Sequence, residues 1–393
     1  MVDRHRTGCE STRGRLRSLV SHPEAALSRS GPSPRVLVFT ASVGEGHDVP
    51  ARALAAGIRR LRADAEVELV DALDVIGGLV HRVAEDDLRR TFGAGRLNWV
   101  FDLQYLLFAR AAPLRLAGQA ALHRAGGRRV LEAIEQRAPD VVVSVYPVMT
   151  EVLGWLRRTH RLRVPAVGAI TDLSSLWYWA SRGIDLQLVT HPESIPEATR
   201  IAGGSRVVAA HGLYDPRFLR PPARSAARRA LGLEPTGAVV AVSGGGWGVG
   251  DVDGAVRTAL EVPGATVLAL CGRNETLRRR LGDVFPDDRL QALPFVEDMA
   301  TTLAAADVLV HSTAGLTVLE ALLAGCAPIS YGWGIAHIRV NNRAYRRLGM
   351  AAVVRTRAGL RHAIDGALAR PQPPLAPRFA ELPDAAALVL ELV

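Results

Sequence analysis

The stretch RVLVFTASVGEGHDVPARAL (35–54) decides the fold of the first half. Residues 35–39 form a short apolar run, the mark of a buried strand. Gly44, Gly46 and His47 follow, and then a helix-forming segment. Strand, glycine turn and helix in that order open a doubly wound α/β domain, with the turn at the carboxyl edge of the sheet. The dinucleotide fingerprint is incomplete: Asp71 closes the next apolar run, but Val49 stands where a third glycine belongs. A Walker loop is excluded, because no Gly-Lys-Ser/Thr follows. His47 is expected where the helix begins, with Pro50 in the first turn, where proline is tolerated. An imidazole there faces the crevice and titrates near working pH, so His47 is a candidate general base.

Outward from this stretch, apolar runs alternate with helical segments. In the first half the expected strands are 35–40, 65–70, 140–146, 164–170 and 186–190. In the second half they are 238–244, 265–272, 290–296, 307–312, 327–331 and 351–355. Short Val-rich runs spaced by helices predict parallel sheets covered on both faces, and two such sets predict two Rossmann-like domains facing a cleft. The expected division is a disordered Arg/Ser/Gly/Pro-rich leader over 1–34, a first domain over 35–210 and a linker over 211–236. A second domain over 237–370 and a tail over 371–393 complete it. Residues 77–137 break the alternation and read as two or three helices, either packed on the sheet or meeting lipid.

The charged residues are 48 basic against 39 acidic, a net +9, and every basic side chain other than histidine is arginine. That sign favours anionic partners. Three scattered cysteines, Cys9, Cys271 and Cys326, show neither a disulfide framework nor a zinc spacing. No apolar run is long enough to span a membrane.

Two glycine turns in the second half suit an anion. SGGGWGVGD (243–251) follows one strand, and HSTAGLTVLEALLAGCAP (311–328) follows another. Glycines there let backbone N–H groups approach a diphosphate, and a helix start adds its dipole. Ser312 or Thr313 is expected to cap that helix, with Gly315 in its first turn. Glu320 lies about 7.5 Å further along the axis, a plausible span from a diphosphate to a ribose. Its apolar neighbours Leu319, Ala321 and Leu322 argue for a functional carboxylate.

With these motifs in place, the chain resembles family 28 glycosyltransferases of the GT-B fold. It is most similar to monogalactosyldiacylglycerol synthases and bacterial diacylglycerol glycosyltransferases. TASVGEGH (40–47), ITDLSS (170–175), SGGGWGVG (243–250), LCGRNETLRRRL (270–281) and residues 293–325 carry the resemblance, in order, across about 35–365. It implies an inverting transfer from a UDP-sugar, a co-substrate, to a membrane lipid, with no cofactor and no metal. His47 and Asp172 would be catalytic. Gly244, Gly245, Gly246, Thr313, Ala314 and Gly315 would hold the diphosphate, and Glu320 the ribose. Phe295, Val296 and Met299 would flank the uracil. Arg273, Asn274, His337 and Asn341 would complete the donor side. Gly44, Gly46, Trp99 and Tyr105 would face the acceptor. Ile338 follows His337 where relatives carry a polar pair, so the sugar stays unassigned.

Trp99, Phe101, Tyr105 and Phe108 lie beside Arg96, Arg110 and Arg115. Aromatics and arginines at one surface suit an anionic headgroup boundary, so the resemblance favours the lipid-facing reading of this block. The expected location is peripheral, at the cytoplasmic face of the plasma membrane. Two other readings are a UDP-N-acetylglucosamine 2-epimerase, which needs no acceptor, and a non-enzymatic nucleotide- or RNA-binding protein. No RNA-recognition motif supports the last, and no nucleic-acid partner is expected.

Overall fold

Alternate residues of one strand feed two different cores. On β1 (Arg35–Thr40), Val36 and Val38 pack on one face of a sheet, while Leu37 and Phe39 pack on the other. Both faces are covered, which is why the strand reads as an unbroken apolar run rather than an alternating one.

The computed structural model describes residues 32–42, 45–77, 112–245, 248, 250–332 and 336–393. After β1 come α1 (Glu45–Leu61), β2 (Glu66–Asp71), α2 (Ala72–Ile76) and α3 (Ala112–Arg137). Then follow β3 (Val141–Ser144), α4 (Pro147–Arg158), β4 (Ala166–Ile170), β5 (Leu186–Val189), α5 (Ile195–Ala202) and β6 (Arg206–Ala209). These strands form one six-stranded sheet in the order β2-β1-β3-β4-β5-β6, with every pair parallel. Strand β6 was not expected from sequence. It is a half-exposed edge strand that opens on Arg206, and its apolar run over 207–210 is short and ends in two alanines.

The second sheet is built the same way. Its elements are α6 (Arg224–Ala230), β7 (Val239–Ser243), α7 (Val252–Leu260), β8 (Thr266–Leu270), α8 (Glu275–Val284), β9 (Leu290–Leu293) and α9 (Met299–Ala305). They continue with β10 (Val308–His311), α10 (Leu316–Ala324), β11 (Ala327–Tyr331), α11 (Ala336–Arg347), β12 (Ala352–Val354) and α12 (Arg357–Ala369). The strand order is β12-β11-β10-β7-β8-β9, again all parallel. This is the Rossmann order, with its topological switch between β7 and β10. Short helices α13 (Ala376–Ala380) and α14 (Ala385–Leu390) finish the chain.

Residues 211–236, expected as a linker, are packed against the second sheet's core. Arg228 in α6 is buried; its guanidinium donates to the carbonyls of Ala305, Pro235 and Gly237 and pairs with Asp307 at 2.8 Å. Asp307 in turn accepts from the Val239 N–H at the start of β7. The tail packs on both halves. Phe379 packs into the core beneath α10, but Ala385 and Ala386 pack against α1 of the first sheet. Within 77–137, the described part is the single helix α3; residues 78–111 lie outside the described residues.

Candidate functional site

The carboxyl ends of β1 and β3 flank the switch point of the first sheet. Helix α1 begins at Glu45, two residues earlier than expected, so His47 is its third residue and Pro50 sits inside the helix. As the sixth helical residue, Pro50 leaves the Gly46 carbonyl without its intrahelical N–H. His47 Nδ1 lies 2.8 Å from the carbonyl oxygen of Val145, which follows β3. A carbonyl only accepts, so Nδ1 carries the proton, and a neutral ring then presents Nε2 as its basic atom. The imidazole packs edge-on to Tyr146, at 5.2 Å between centroids, and beside Trp179 at 5.6 Å. Trp179 Nε1–H donates to Asp172 Oδ2 at 2.9 Å. Asp172 is buried just beyond β4, so His47, Trp179 and Asp172 form one continuous group.

At the switch point of the second sheet two turns lie side by side. Gly245, after β7, has φ 70°, and its N–H donates to Ser243 Oγ. A Cβ there would stand 3.1 Å from Thr313 Cγ2, so glycine allows the two turns to approach. Buried His311 at the end of β10 donates from Nδ1 to the Thr313 carbonyl, and burial pushes its pKa down to about 4, keeping it neutral. Neither Ser312 nor Thr313 caps α10. Gly315 occupies the cap position, with φ 83° and ψ −137°, and no side chain bonds there. The first N–H groups of the helix are therefore left to other acceptors, together with the positive end of its dipole.

Glu320 is buried on α10. Burial, aided by the charge of Asp215, pushes its carboxyl up to about 7. Asp215 itself is held low against partial burial by its bonds to Arg217, which also pairs with Asp298 at 3.3 Å. Phe295 is 41% exposed, with the Arg273 guanidinium 4.4 Å from its ring centroid. Val296 and Met299 pack partly buried beneath it on the core of the second sheet. Asn274 serves as the cap of α8, its Oδ1 accepting from the Leu277 N–H.

The two half-sites meet. A Cβ on Gly315 would lie 3.4 Å from Asp172 Oδ1. Fully buried Asn341 of α11 accepts from the N–H groups of Leu173 and Ser174, next to Asp172, at 2.9 and 3.0 Å. Tyr345, one turn later, lies 3.1 Å from His191 Nε2. Gly244 is buried beneath these turns, Thr313 and Ala314 are partly buried, and Gly46 faces open space. Gly44, Gly246, Trp99 and Tyr105, with Arg96 and Arg110, lie outside the described residues, as do the side chains of His337 and Arg115. The roles of Trp179 and Tyr345 were missed from sequence. Trp179 joins Asp172, seven positions away, to the distant His47, and Tyr345 meets His191 of the other half; no local pattern announces either.

Comparison with known proteins fits this geometry. The chain aligns along nearly its whole length with the spinosyn rhamnosyltransferase SpnG complexed with thymidine diphosphate. The TM-score is 0.57 at 13% identity, covering 91% of this chain and 99% of that one. The fold is GT-B. A model of the monogalactosyldiacylglycerol (MGDG) synthase family matches residues 101–212. A probable monogalactosyldiacylglycerol synthase 2 of Oryza sativa subsp. japonica is 25% identical over 322 residues, covering 76% of this chain and 66% of that protein. A processive diacylglycerol beta-glucosyltransferase of Bacillus cereus is 20% identical over 334 residues, covering 82% of each. The chain thus spans just under two thirds of the rice protein's length. Among the described residues, no helix is long and apolar enough to cross a membrane.

Proposed function

We propose that this protein is an inverting glycosyltransferase that moves a sugar from a UDP-sugar to a diacylglycerol-type lipid at a membrane surface. The observation that carries the reading is the meeting of the half-sites: Asp172, bonded to Trp179 beside His47, reaches within 3.4 Å of a Cβ position on Gly315. The activities of the matched family and of the similar proteins support the acceptor class.

In this reading the donor diphosphate lies across the turns at Gly244–Gly245 and 313–315, where backbone N–H groups and the α10 dipole take its charge without a metal. Glu320 accepts from the ribose hydroxyls, and Phe295 stacks on the base. The acceptor hydroxyl attacks the anomeric carbon as the bond to the diphosphate oxygen breaks. His47 Nε2 takes the hydroxyl proton, because Nδ1–H is committed to Val145. Asp172 stabilises the charge that then develops on the imidazole. The aromatic and arginine-rich segment around Trp99 and Tyr105 meets anionic lipid at the cytoplasmic face of the plasma membrane.

The test is product analysis by mass spectrometry, with diacylglycerol in anionic vesicles and a panel of UDP-sugars. A glycosyl-diacylglycerol of inverted anomeric configuration is expected. His47→Ala should lower its formation by about 10²–10⁴-fold. Conversion of a UDP-sugar without acceptor would instead favour the epimerase.

A further inference from the structure

Helix α11 holds parts of both half-sites through consecutive turns. Asn341 Oδ1 accepts from the Leu173 and Ser174 N–H groups. The apolar side of the same joint is Leu173 packed on Val318, Leu322 and Tyr345. Tyr345 lies 3.1 Å from His191 Nε2 and 3.4 Å from the Gly315 carbonyl. At the shorter contacts the protons run in one direction: Thr190 O–H donates to His191 Nδ1, His191 Nε2–H to Tyr345, and Tyr345 O–H to the Gly315 carbonyl. Burial holds His191 neutral, as this chain of bonds requires. From the other side, Glu197 accepts from Ser174 Oγ and from the Leu176 N–H.

We propose that Asn341 is a positioning residue: its buried oxygen, bonded to the two amides that follow Asp172, fixes that carboxylate over the Gly315 turn. Asn341 lies in the half that carries the donor turn, yet its oxygen is spent on the loop of the other half. It therefore sets the distance between the acid and the donor. The inference rests on the reading that this junction is the reacting site.

The experiment compares Asn341→Leu with Asn341→Asp in the full chain. Leucine removes the acceptor; aspartate keeps two lone pairs aimed at the same amides. Two measurements are made. Hydrogen exchange of the Leu173 and Ser174 amides reports the geometry without any substrate. Steady-state kinetics with a UDP-sugar and diacylglycerol vesicles, with UDP affinity by calorimetry, report its use. In Asn341→Leu those two amides should exchange faster, while turnover falls about 10²-fold, the scale of a 1 Å misplacement. UDP affinity should stay within about threefold, below the 1.4 kcal/mol that a tenfold change represents. Asn341→Asp should restore amide protection and recover most of the turnover. If leucine prevents folding, the aspartate variant and wild-type exchange still decide the matter. Fast exchange of these amides in wild type, or aspartate losing turnover with protection intact, overturns the proposal. So does a loss confined to donor affinity, which would make Asn341 a donor contact. Protection as expected in a wild type that transfers no sugar refutes the proposed function instead.

Discussion

Glu320→Gln is expected to flatten two pH dependences at once. In the free protein the Glu320 carboxyl titrates at about 7 rather than the ordinary 4.5. Its pKa is raised on folding, so its protonated form stabilises the fold fully below about 4.5, and that contribution is lost as pH rises through about 7. At 1.36 kcal/mol per pH unit the gap is worth about 3 kcal/mol, an upper order of magnitude for a buried acid. A ribose that donates hydroxyl protons to the carboxylate binds the deprotonated form. UDP affinity should therefore rise about 25-fold from pH 5.5 to 7.5 through this group alone. Calorimetric titration of UDP across that range, wild type against Glu320→Gln, cancels the nucleotide's own phosphate titration. Thermal unfolding of the free proteins over the same range supplies the stability arm. Identical pH dependences of UDP binding in the two proteins would refute the assignment. Removing the carboxylate should also weaken binding at pH 8 by about 1.5–3 kcal/mol, the range for a charge-assisted hydrogen bond.

Gly315→Ala should cost about 1–3 kcal/mol of stability, because its φ of 83° with ψ −137° suits only glycine; denaturant unfolding measures this, and UDP affinity should fall with it. Phe295→Ala should weaken UDP binding by about 1–3 kcal/mol if the exposed ring stacks on the base, whereas equal affinity by calorimetry would leave the ring a partner of Arg273 alone. Transfer should persist in excess chelator, measured as product formed, since backbone N–H groups and the α10 dipole receive the diphosphate charge. Sedimentation with vesicles of varied anionic content should show Arg96/Arg110/Arg115→Ser binding more weakly, by about 1 kcal/mol per arginine at low salt; binding indifferent to both lipid charge and the arginines would remove this surface.

The parts legible in the sequence are those set by local periodicity. The run 35–40 predicted β1 because a strand covered on both faces must be apolar throughout, and 238–244 predicted β7 for the same reason. Strand β6 escaped because its apolar run, 207–210, is short and half alanine. The cap of α10 was misassigned since serine and threonine are the usual caps, yet here a glycine of positive φ starts the helix. The candidate residues His47, Asp172, Gly315 and Glu320 came from turn chemistry and from family resemblance. Their mutual arrangement did not. Asn341 sits 168 positions from Leu173, and a hydrogen bond at that separation leaves no trace in a single sequence. Trp179 was not singled out from sequence, and only the fold shows its indole nitrogen on Asp172.

The returning tail has a mechanical consequence. The chain passes between the two halves once near His211 and again near Asp384, and these passages are bonded to each other. His211 N–H donates to the Pro383 carbonyl, and Ala385 N–H donates to the carbonyl of His211. The crossings therefore act as a two-stranded strap. A displacement of one passage must therefore carry the other with it.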